Sequence, residues 1–361
     1  MKSHNKMKLP NALLFVAIAM FSNVAMAENT APDSEVFTYD KRLTKTKPWT
    51  SQKFQNDPNE FQFAVIGDRT GGANVEETFK HAVDQLNLLQ PEFVINVGDM
   101  IEGYSDKKKD LNAEWDESDK MLAKLKMPFF HTPGNHDIAN KVAQEVYYER
   151  HGATYYQFVY KNVLFMVLNS EDTPREAPEG MKDKIALYNK LQKENPVKAK
   201  EMLAEFMSDE AVVAALGKPV EFEGEQMSFI KRTLEENADV RWTFVLLHEP
   251  AWENSSVGFK AIQKLLKARK HTFIAGHLHY YDYDNIDGNE HITMGPAGAS
   301  FHHEGPGNVD HLMWVTMTEN GPEIGNIALK GIFNRKGLDP SLFGAYDRKG
   351  ADSNESKKEK K

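Results

Sequence analysis

The chain has 361 residues, 40% of them apolar, and its 44 basic and 53 acidic side chains give a formal net charge of −9. This balance is typical of a folded enzyme and excludes disorder as the main state. The acidic charge argues against a nucleic-acid scaffold, because such proteins carry a basic face that neutralises phosphates. The absence of cysteine excludes disulfides, thiolate-held metals and a cysteine nucleophile. Any metal ion must therefore be held by nitrogen and oxygen ligands.

The first 27 residues have the pattern of an export signal. Lys2, Lys6 and Lys8 precede an apolar run from Leu13 to Phe21, and small residues follow at the two positions that a signal peptidase reads. The alternative is a permanent anchor helix. It is less favoured because the run is far shorter than the roughly 20 apolar residues that a membrane span needs. We therefore expect cleavage after Ala27 and a periplasmic or secreted protein with no membrane span after cleavage.

The rest of the chain divides into three parts. Residues 28–59 have no clear period and are interpreted as an N-terminal arm. Residues 60–335 alternate short apolar runs with charged segments of helical period, which predicts an α/β domain with helices covering its sheets. Residues 336–361 are predicted to be a C-terminal tail with a disordered end, because the last residues are nearly all charged or small.

The predicted elements alternate in chain order. They are strand 61–66, helix 75–89, strand 92–97, helix 111–125, strand 129–131, helix 140–150, paired strands 154–160 and 163–168, helix 226–234, strand 242–247, helix 259–268, strand 272–275, and strand pairs within 280–294 and 314–329. Because the paired strands 154–160 and 163–168 are predicted to form an antiparallel hairpin, we expect a mixed sheet. We expect the last two strand pairs to complete a second sheet packed on the first.

Residues 171–222 interrupt this alternation. Their Pro and Gly boundaries and Lys- and Glu-rich helical sequence predict an insertion with its own helices. A segment of this length is too long for a plain connection. It is interpreted either as a lid or side wall over the functional cleft, or as a surface ornament.

Polar side chains able to bind metal follow five of the predicted strands. They are Asp68, Asp99, the run Asn135-His136-Asp137, His248, and the pair His277 and His279. Ligands of open α/β sheets bind beyond the carboxyl ends of the strands, so we expect these side chains to converge. Each of them alone has an ordinary explanation as a helix cap or a turn residue. Their occurrence at five successive strand ends favours one shared site.

The types of ligand indicate what this site holds. Oxygen and imidazole donors without sulfur suit Mn, Fe, Zn or Mg, as divalent or trivalent ions. The donors are too many for one closed tetrahedral ion, but two ions about 3.5–4 Å apart that share a carboxylate would use them. Such a pair clamps the attacking and leaving oxygens of a displacement at phosphorus, and a water bridging it can be hydroxide near neutral pH. The sequence therefore predicts a dinuclear site for phosphoester hydrolysis.

These motifs resemble those of the calcineurin-like metallophosphoesterases, which include the purple acid phosphatases. The resemblance spans residues 61–333 and rests on Gly67-Asp68, Gly98-Asp99, Gly134-Asn135-His136-Asp137, Leu247-His248 and Gly276-His277-Leu278-His279. It implies a fold of two facing mixed β-sheets flanked by helices.

The resemblance also implies roles for individual residues. The ligands would be Asp68, Asp99 and His279 for the first ion, and Asp99, Asn135, His248 and His277 for the second. Asp99 would bridge the two ions. His136 would contact the phosphoryl oxygen or protonate the leaving group, and Asp137 would orient its ring.

The chain departs from the family pattern near the first ion. The family usually has a His two residues after the first Asp, where this chain has Thr70. Purple acid phosphatases also lack that His and use a Tyr three residues after the bridging Asp. Here that position is Glu102, and Tyr104 follows two residues later. We expect Glu102 or Tyr104 to complete the first metal site if the loop folds back toward it, and a weaker first site otherwise.

Three further residues are candidates for contacts with substrate. Arg69 would either clamp a phosphate oxygen or form a structural ion pair. His302 and His303 lie in a loop bounded by Gly and Pro, where they would touch substrate or be solvated at the surface. Five other histidines carry no comparable argument: His81, His131, His151, His271 and His291.

We therefore expect an exported metal-dependent hydrolase that uses a metal-bridging hydroxide on small phosphomonoesters or phosphodiesters. The alternatives are a nucleotide phosphodiesterase or pyrophosphatase, and a non-catalytic metal- or phosphate-binding protein. The intact pair of His136 and Asp137 argues against the last, because a binding site needs no proton donor. The oligomeric state stays open.

Overall fold

The computed structural model describes residues 37, 42, 48–51, 54–55, 57–71, 76–171, 180–210, 212–213, 217–301, 305 and 307–331. The predicted export signal, most of the N-terminal arm and the C-terminal tail lie outside these residues, so these three predictions stay predictions. The chain divides into two compact units, residues 1–57 and 58–361. In the first unit, the ring of Phe37 contacts Trp49 and Phe54 at centroid distances of 5.3 and 5.1 Å. Among the described helices, none combines the length and apolar character needed to cross a membrane.

The second unit contains two mixed β-sheets. The first is formed by β1 (Phe61–Ile66), β2 (Phe93–Asn96), β3 (Phe129–Phe130), β10 (His311–Thr318) and β11 (Gly321–Ala328), in the order β11-β10-β1-β2-β3. The second is formed by β4 (Tyr156–Tyr160), β5 (Val163–Val167), β6 (Trp242–Leu246), β7 (His271–Ala275), β8 (Asp282–Ile286) and β9 (Asn289–Thr293), in the order β4-β5-β6-β7-β9-β8. In the first sheet, β1, β2 and the edge strand β3 run parallel, and in the second sheet, the central strands β5, β6 and β7 run parallel.

Helices occupy the connections between strands. They are α1 (Glu76–Leu89), α2 (Lys108–Leu122), α3 (Lys141–His151), α4 (Met181–Glu194), α5 (Pro196–Met207), α6 (Gly224–Glu236) and α7 (Val257–Leu266). Side-chain caps account for where two of them begin. Asn140 accepts the N–H of Ala143 at 2.9 Å at the start of α3, and Ser256 accepts the N–H of Phe259 at 3.0 Å at the start of α7.

The two sheets face each other across an aromatic core. The ring of Phe63 on β1 stacks on Phe93 of β2 at 5.4 Å and meets Phe165 of β5 edge-on at 5.1 Å. Separate apolar clusters lie on the outer faces, with Trp115 of α2 in the first and Phe259 of α7 in the second. Each central strand is thus buried on both faces, which explains its nearly continuous apolar sequence.

The predicted fold class of two facing mixed β-sheets flanked by helices is confirmed. The assignment of both final strand pairs to the second sheet is wrong, because β10 and β11 belong to the first. β10 pairs antiparallel with β1, and its residues Met313, Val315 and Met317 belong to the core between the sheets. That pairing covers the edge of β1, which would otherwise expose unpaired backbone groups.

The predicted insertion lies partly outside the described residues, which omit 172–179, 211 and 214–216. Its described part contains α4 and α5, with Asn195 capping the start of α5 by accepting the N–H of Lys198 at 3.1 Å. The Nζ atom of Lys184 on α4 lies 4.9 Å above the ring of Phe206 on α5. This contact joins the two helices to each other.

Candidate metal centre

Asp99 follows β2 and lies at the middle of the site. Its backbone has a φ of 55°, and the preceding Gly98 has a φ of 105°. A Cβ atom on Gly98 would lie 2.4 Å from Nδ1 of His248, and one on Gly134 would lie 2.1 Å from Oδ1 of Asp99. The two glycines therefore let three chain segments approach more closely than larger residues would allow.

The carboxylate of Asp99 contacts two histidines. Its Oδ1 atom accepts the backbone N–H of His136 at 3.0 Å, and its Oδ2 atom lies 3.2 Å from Nε2 of His248. Burial by itself raises the pKa of this carboxyl, but the charges of His248 and His136 lower it more, so the net pKa of Asp99 is below its ordinary value. Asp99 is therefore available as an anionic ligand.

One group of donors surrounds the amide oxygen of Asn135. This Oδ1 atom lies 3.0 Å from Nε2 of His248 and 2.8 Å from Nδ1 of His277, and the two ring nitrogens are 3.2 Å apart. Nδ1 of His248 donates to the carbonyl of Val97 at 2.7 Å, so in the neutral ring the lone pair is on Nε2. Backbone carbonyls commonly fix metal-binding imidazoles in this way.

A second group of donors lies on the other side of Asp99. One donor atom each of Asp68, Asp99 and His279 lies within 4.8 Å of the other two. Nδ1 of His279 donates to the carbonyl of Ser300 at 2.5 Å, which leaves Nε2 as the donor, 3.9 Å from Oδ1 of Asp68. Asp99 thus contributes to both groups.

Asp68 gives the clearest sign that this site suits a cation. It is fully buried, and its Oδ2 atom has no hydrogen-bond partner among the described residues. Its Oδ1 atom accepts the N–H of His277 at 3.1 Å, while burial raises the pKa of Asp68 to about 7. A buried carboxylate oxygen without a partner is costly unless an ion satisfies it. The residues present therefore fit two metal ions, with Asp68 and His279 on one side and Asn135, His248 and His277 on the other.

His136 is placed to donate a proton to a substrate. Its Nδ1 atom donates to the carbonyl of Glu102 at 2.8 Å, and its ring meets Tyr104 edge-on at 4.8 Å. Burial lowers the pKa of His136, but the charges of Asp99 and Glu102 raise it more, so the net pKa is above its ordinary value. The side chain is 13% exposed, so a substrate can reach the ring. A protonated imidazole in such a position can serve as a general acid.

Asp137 does not orient the ring of His136, and that prediction is wrong. Its Oδ1 atom accepts the N–H groups of Met100 and Ile101 at 2.8 and 3.2 Å. Its Oδ2 atom accepts those of Asp99 and Gly134, both at 2.9 Å. Four backbone donors saturate this carboxylate, and the ring of His136 is held by the Glu102 carbonyl instead. Asp137 therefore fixes the loop after β2 against the loop after β3.

Arg69 and Thr70 have structural roles. Arg69 is buried, forms an ion pair with Glu117 and donates to the carbonyl of Met100 at 2.7 Å. Of the two interpretations from sequence, the structural ion pair is the one observed. The hydroxyl of Thr70 donates to the carbonyl of Ile101 at 2.5 Å, so it too supports the loop after β2.

Of the two expectations for the first site, the geometry favours the weaker site without Glu102 or Tyr104. Among the described residues, the carboxylate of Glu102 is not part of the group formed by Asp68, Asp99 and His279. The hydroxyl of Tyr104 accepts the side-chain N–H of Asn135 at 2.8 Å, which places it beside the second group. The backbone of this loop is held by Asp137 and by the contact between Glu102 and His136.

Several further positions complete the comparison with the sequence. His302 and His303 lie outside the described residues. His311, in β10, is buried, and its Nε2 atom accepts the N–H of Gly295 at 2.9 Å. The carbonyls of Val97 and Ser300, which orient two imidazoles, have no signal in the sequence, since every residue carries the same backbone group.

Sequence reasoning also missed two buried carboxylates, Glu171 and Glu249. Ser170 joins them, because its hydroxyl donates to Oε1 of Glu171 at 3.2 Å and accepts the N–H of Glu249 at 3.1 Å. Burial raises the pKa of Tyr104 well above its ordinary value, and the charges of these carboxylates raise it further. Both residues follow the ends of central strands, β5 and β6, which is the signal that could have found them.

A family model described as calcineurin-like phosphoesterase matches residues 61–281. The chain therefore belongs to this family. It is a metallophosphoesterase, an enzyme that hydrolyses phosphoric esters, and its family uses a dinuclear metal centre. A comparison with curated proteins found no match.

Several solved structures are similar to this chain, among them the following three. A dimetal phosphatase from Danio rerio is 16% identical, with 74% of this chain and 99% of that chain covered and a TM-score of 0.47. GAP50 of Plasmodium, an anchor in the inner membrane complex, is 13% identical, with 78% and 92% covered and a TM-score of 0.48. A putative 5′-nucleotidase from Staphylococcus aureus is 14% identical, with 78% and 56% covered and a TM-score of 0.42.

Proposed function

We propose that this protein is an exported phosphodiester hydrolase that works with two divalent metal ions. The observation that carries the proposal is the position of Asp99, whose carboxylate belongs to the donor group of Asp68 and His279 and also lies 3.2 Å from His248. When bound, the two ions supply a water of lowered pKa and neutralise charge on the phosphate. Mn, Fe, Zn and Mg all accept donors of these types.

The chain itself supplies the proton for the leaving group. Nε2 of His136 lies 4.0 Å from Oδ2 of Asp99, while Nδ1 donates to the Glu102 carbonyl. Nε2 is then the atom from which a proton passes to the departing alkoxide. A metal- or phosphate-binding protein without catalysis would have no need of such a donor, so His136 argues against the non-catalytic alternative.

The charges around the site favour a singly charged phosphodiester over a doubly charged phosphomonoester. Burial and the charge of Asp99 raise the pKa of Tyr104, and the charges of Glu171 and Glu249 add to this shift. The hydroxyl of Tyr104 contacts the metal ligand Asn135. Arg69, which could have offset this negative charge, is turned toward Glu117. With two divalent ions bound, a second negative charge on the substrate would therefore gain less attraction than it would in a site without these carboxylates.

Export is supported by the pattern of residues 1–27, in which a basic segment, an apolar run and small residues follow one another. The protein would then act in the periplasm or outside the cell on small phosphodiesters. Export can be tested by expressing the full chain with a C-terminal tag. The measured mass of the released protein is then compared with the mass expected for cleavage after Ala27.

The activity is tested by stripping the protein of metal, restoring Mn²⁺, and measuring turnover of matched esters. Bis(nitrophenyl) phosphate, nitrophenyl phosphate and a nitrophenyl ester of a nucleotide share one leaving group and differ in charge and substituent. We expect kcat/KM for the simple diester to exceed that for the monoester by at least about tenfold. A preference for the monoester would overturn the diester assignment, and a much higher rate with the nucleotide ester would favour the nucleotide phosphodiesterase alternative.

A further inference from the structure

A second set of metal-binding side chains lies at the edge of the first sheet, where α2 and α3 meet the end of strand β3. Asp119 comes from α2, His151 is the last residue of α3, and His131 directly follows β3. One donor atom of each residue lies within 4.8 Å of the other two. The two imidazole rings are 4.1 Å apart between centroids, with their planes tilted by 31°.

The imidazoles in this set have unsatisfied nitrogen atoms. Nδ1 of His131 and Nε2 of His151 are both buried, and neither has a hydrogen-bond partner among the described residues. Burial lowers the pKa of His131 to about 3 and that of His151 to about 4. Both rings are therefore neutral near pH 7, and a neutral imidazole carries the lone pair that a metal ion requires. A buried ring nitrogen without a partner calls for an ion or a water.

Aromatic side chains surround the two imidazole rings. The indole of Trp115 meets the rings of His131 and His151 edge-on at 6.1 and 4.4 Å, and Tyr147 contacts His151 at 5.1 Å. These aromatic walls restrict water and limit ring rotation.

The carboxylate of the set is oriented by a neighbouring cation. Arg150 donates to Oδ2 of Asp119 at 2.7 Å and to Oδ1 of Asp116 at the same distance. The charges of Asp116 and Asp119 thus offset the charge of Arg150. The hydrogen bond from Arg150 also orients the Asp119 carboxylate, as hydrogen bonds to metal ligands commonly do.

We propose that Asp119, His131 and His151 form a third metal site, separate from the dinuclear centre, that binds Zn²⁺. Two imidazoles and one carboxylate are a common set of zinc ligands, and a water would complete a four-coordinate ion. Mg²⁺ and Ca²⁺ prefer oxygen donors and bind this set poorly. The ion would join α2, α3 and the segment leading from β3 to the metal ligand Asn135, so its effect is on stability.

The test uses the full chain in a background that removes zinc from the dinuclear centre. Asp99→Asn with His248→Ala disables that centre, and zinc per chain is measured after dialysis against a weak chelator. We expect this background to keep one zinc ion and to gain thermal stability from Zn²⁺ but not from Mg²⁺. Adding Asp119→Asn should weaken the remaining zinc by at least about tenfold and abolish the thermal shift. A background protein that binds no zinc overturns the proposal.

A matched control keeps a loss of folding from being mistaken for a loss of binding. His271→Gln removes a buried histidine elsewhere in the fold and should leave the zinc content unchanged. Asp119 has an exposed carboxylate, with 39% of its side chain accessible, so Asp119→Asn is expected to fold. In the otherwise unchanged protein, Asp119→Asn should retain phosphodiester turnover when it is loaded with Mn²⁺. When it is loaded with Zn²⁺, it should bind two ions per chain instead of three. Equal zinc contents in the two proteins would contradict the third site without bearing on the dinuclear centre.

Discussion

Oδ2 of Asp99 lies 3.2 Å from Nε2 of His248, although the two residues follow strands of different sheets. Asp99 comes after β2 in the first sheet, and His248 comes after β6 in the second. The metal centre is therefore built across the junction of the two sheets. Its geometry depends on the aromatic core that joins them, in which Phe63 of β1 contacts Phe165 of β5.

His136 is expected to act on the leaving group and not on metal binding. His136→Gln should leave the metal content unchanged and slow a diester with a poor alkyl leaving group by about 10²- to 10⁴-fold. A nitrophenyl diester should slow much less, because its leaving group needs little protonation. The ratio of kcat/KM values for the two esters, measured in the wild type and in the variant, checks this. Equal slowing of both esters would remove His136 from the role of acid.

Asp137 is expected to matter for stability and metal binding together. Asp137→Asn replaces a carboxylate that accepts four backbone N–H groups with an amide whose NH₂ group would face some of those donors. The free energy of unfolding should fall by roughly 2–4 kcal/mol, and the affinity of the centre for metal should fall with it. Denaturant unfolding of the metal-free protein checks the first effect. A variant of normal stability that lost only catalysis would restore the ring-orienting role.

The sequence predicted that the metal-binding residues lie together, but it did not predict the hydrogen bonds within the site. Asp68, Asp99 and His248 follow apolar strands, and the rule that sites lie at carboxyl strand ends brings them together. Whether Asp137 accepts a ring N–H or backbone N–H groups depends on loop conformation, as does the direction of Arg69. The pairing of β10 with β1 is a contact between residues about 250 positions apart, and nothing local in the chain specifies it.

Glu249 is expected to set the preference between ester types. Glu249→Gln replaces a buried carboxyl group whose charge acts on Tyr104, so it should raise kcat/KM for a phosphomonoester about three- to tenfold relative to a phosphodiester. Glu253→Gln is the matched control, because Glu253 is an exposed acidic residue four positions later. An unchanged ratio in Glu249→Gln would mean that this carboxylate does not act on the substrate.

His311 is expected to make stability depend on pH. Burial lowers its pKa in the folded state to about 4, and its Nε2 atom accepts the N–H of Gly295. Because an unfolded histidine has a pKa near 6.5, the unfolded state binds the proton first as the pH falls. This contribution to stability is complete above about pH 6.5 and is lost progressively toward pH 4. In metal-free protein, His311→Gln should make the free energy of unfolding fall less between pH 7 and 5, and an unchanged slope would contradict this.

The shared position of Asp99 is tested most directly by titrating Mn²⁺ into metal-stripped protein while following bound metal and diester hydrolysis. We expect the wild type to bind two ions with unequal affinity, the tighter at the four ligands Asp99, Asn135, His248 and His277, and to become active only as the second ion binds. Asp99→Asn should bind fewer ions and lose at least about 10³-fold in turnover, whereas Glu102→Gln should change neither affinity. Two bound ions and nearly normal hydrolysis in Asp99→Asn would contradict a dinuclear centre bridged by this carboxylate.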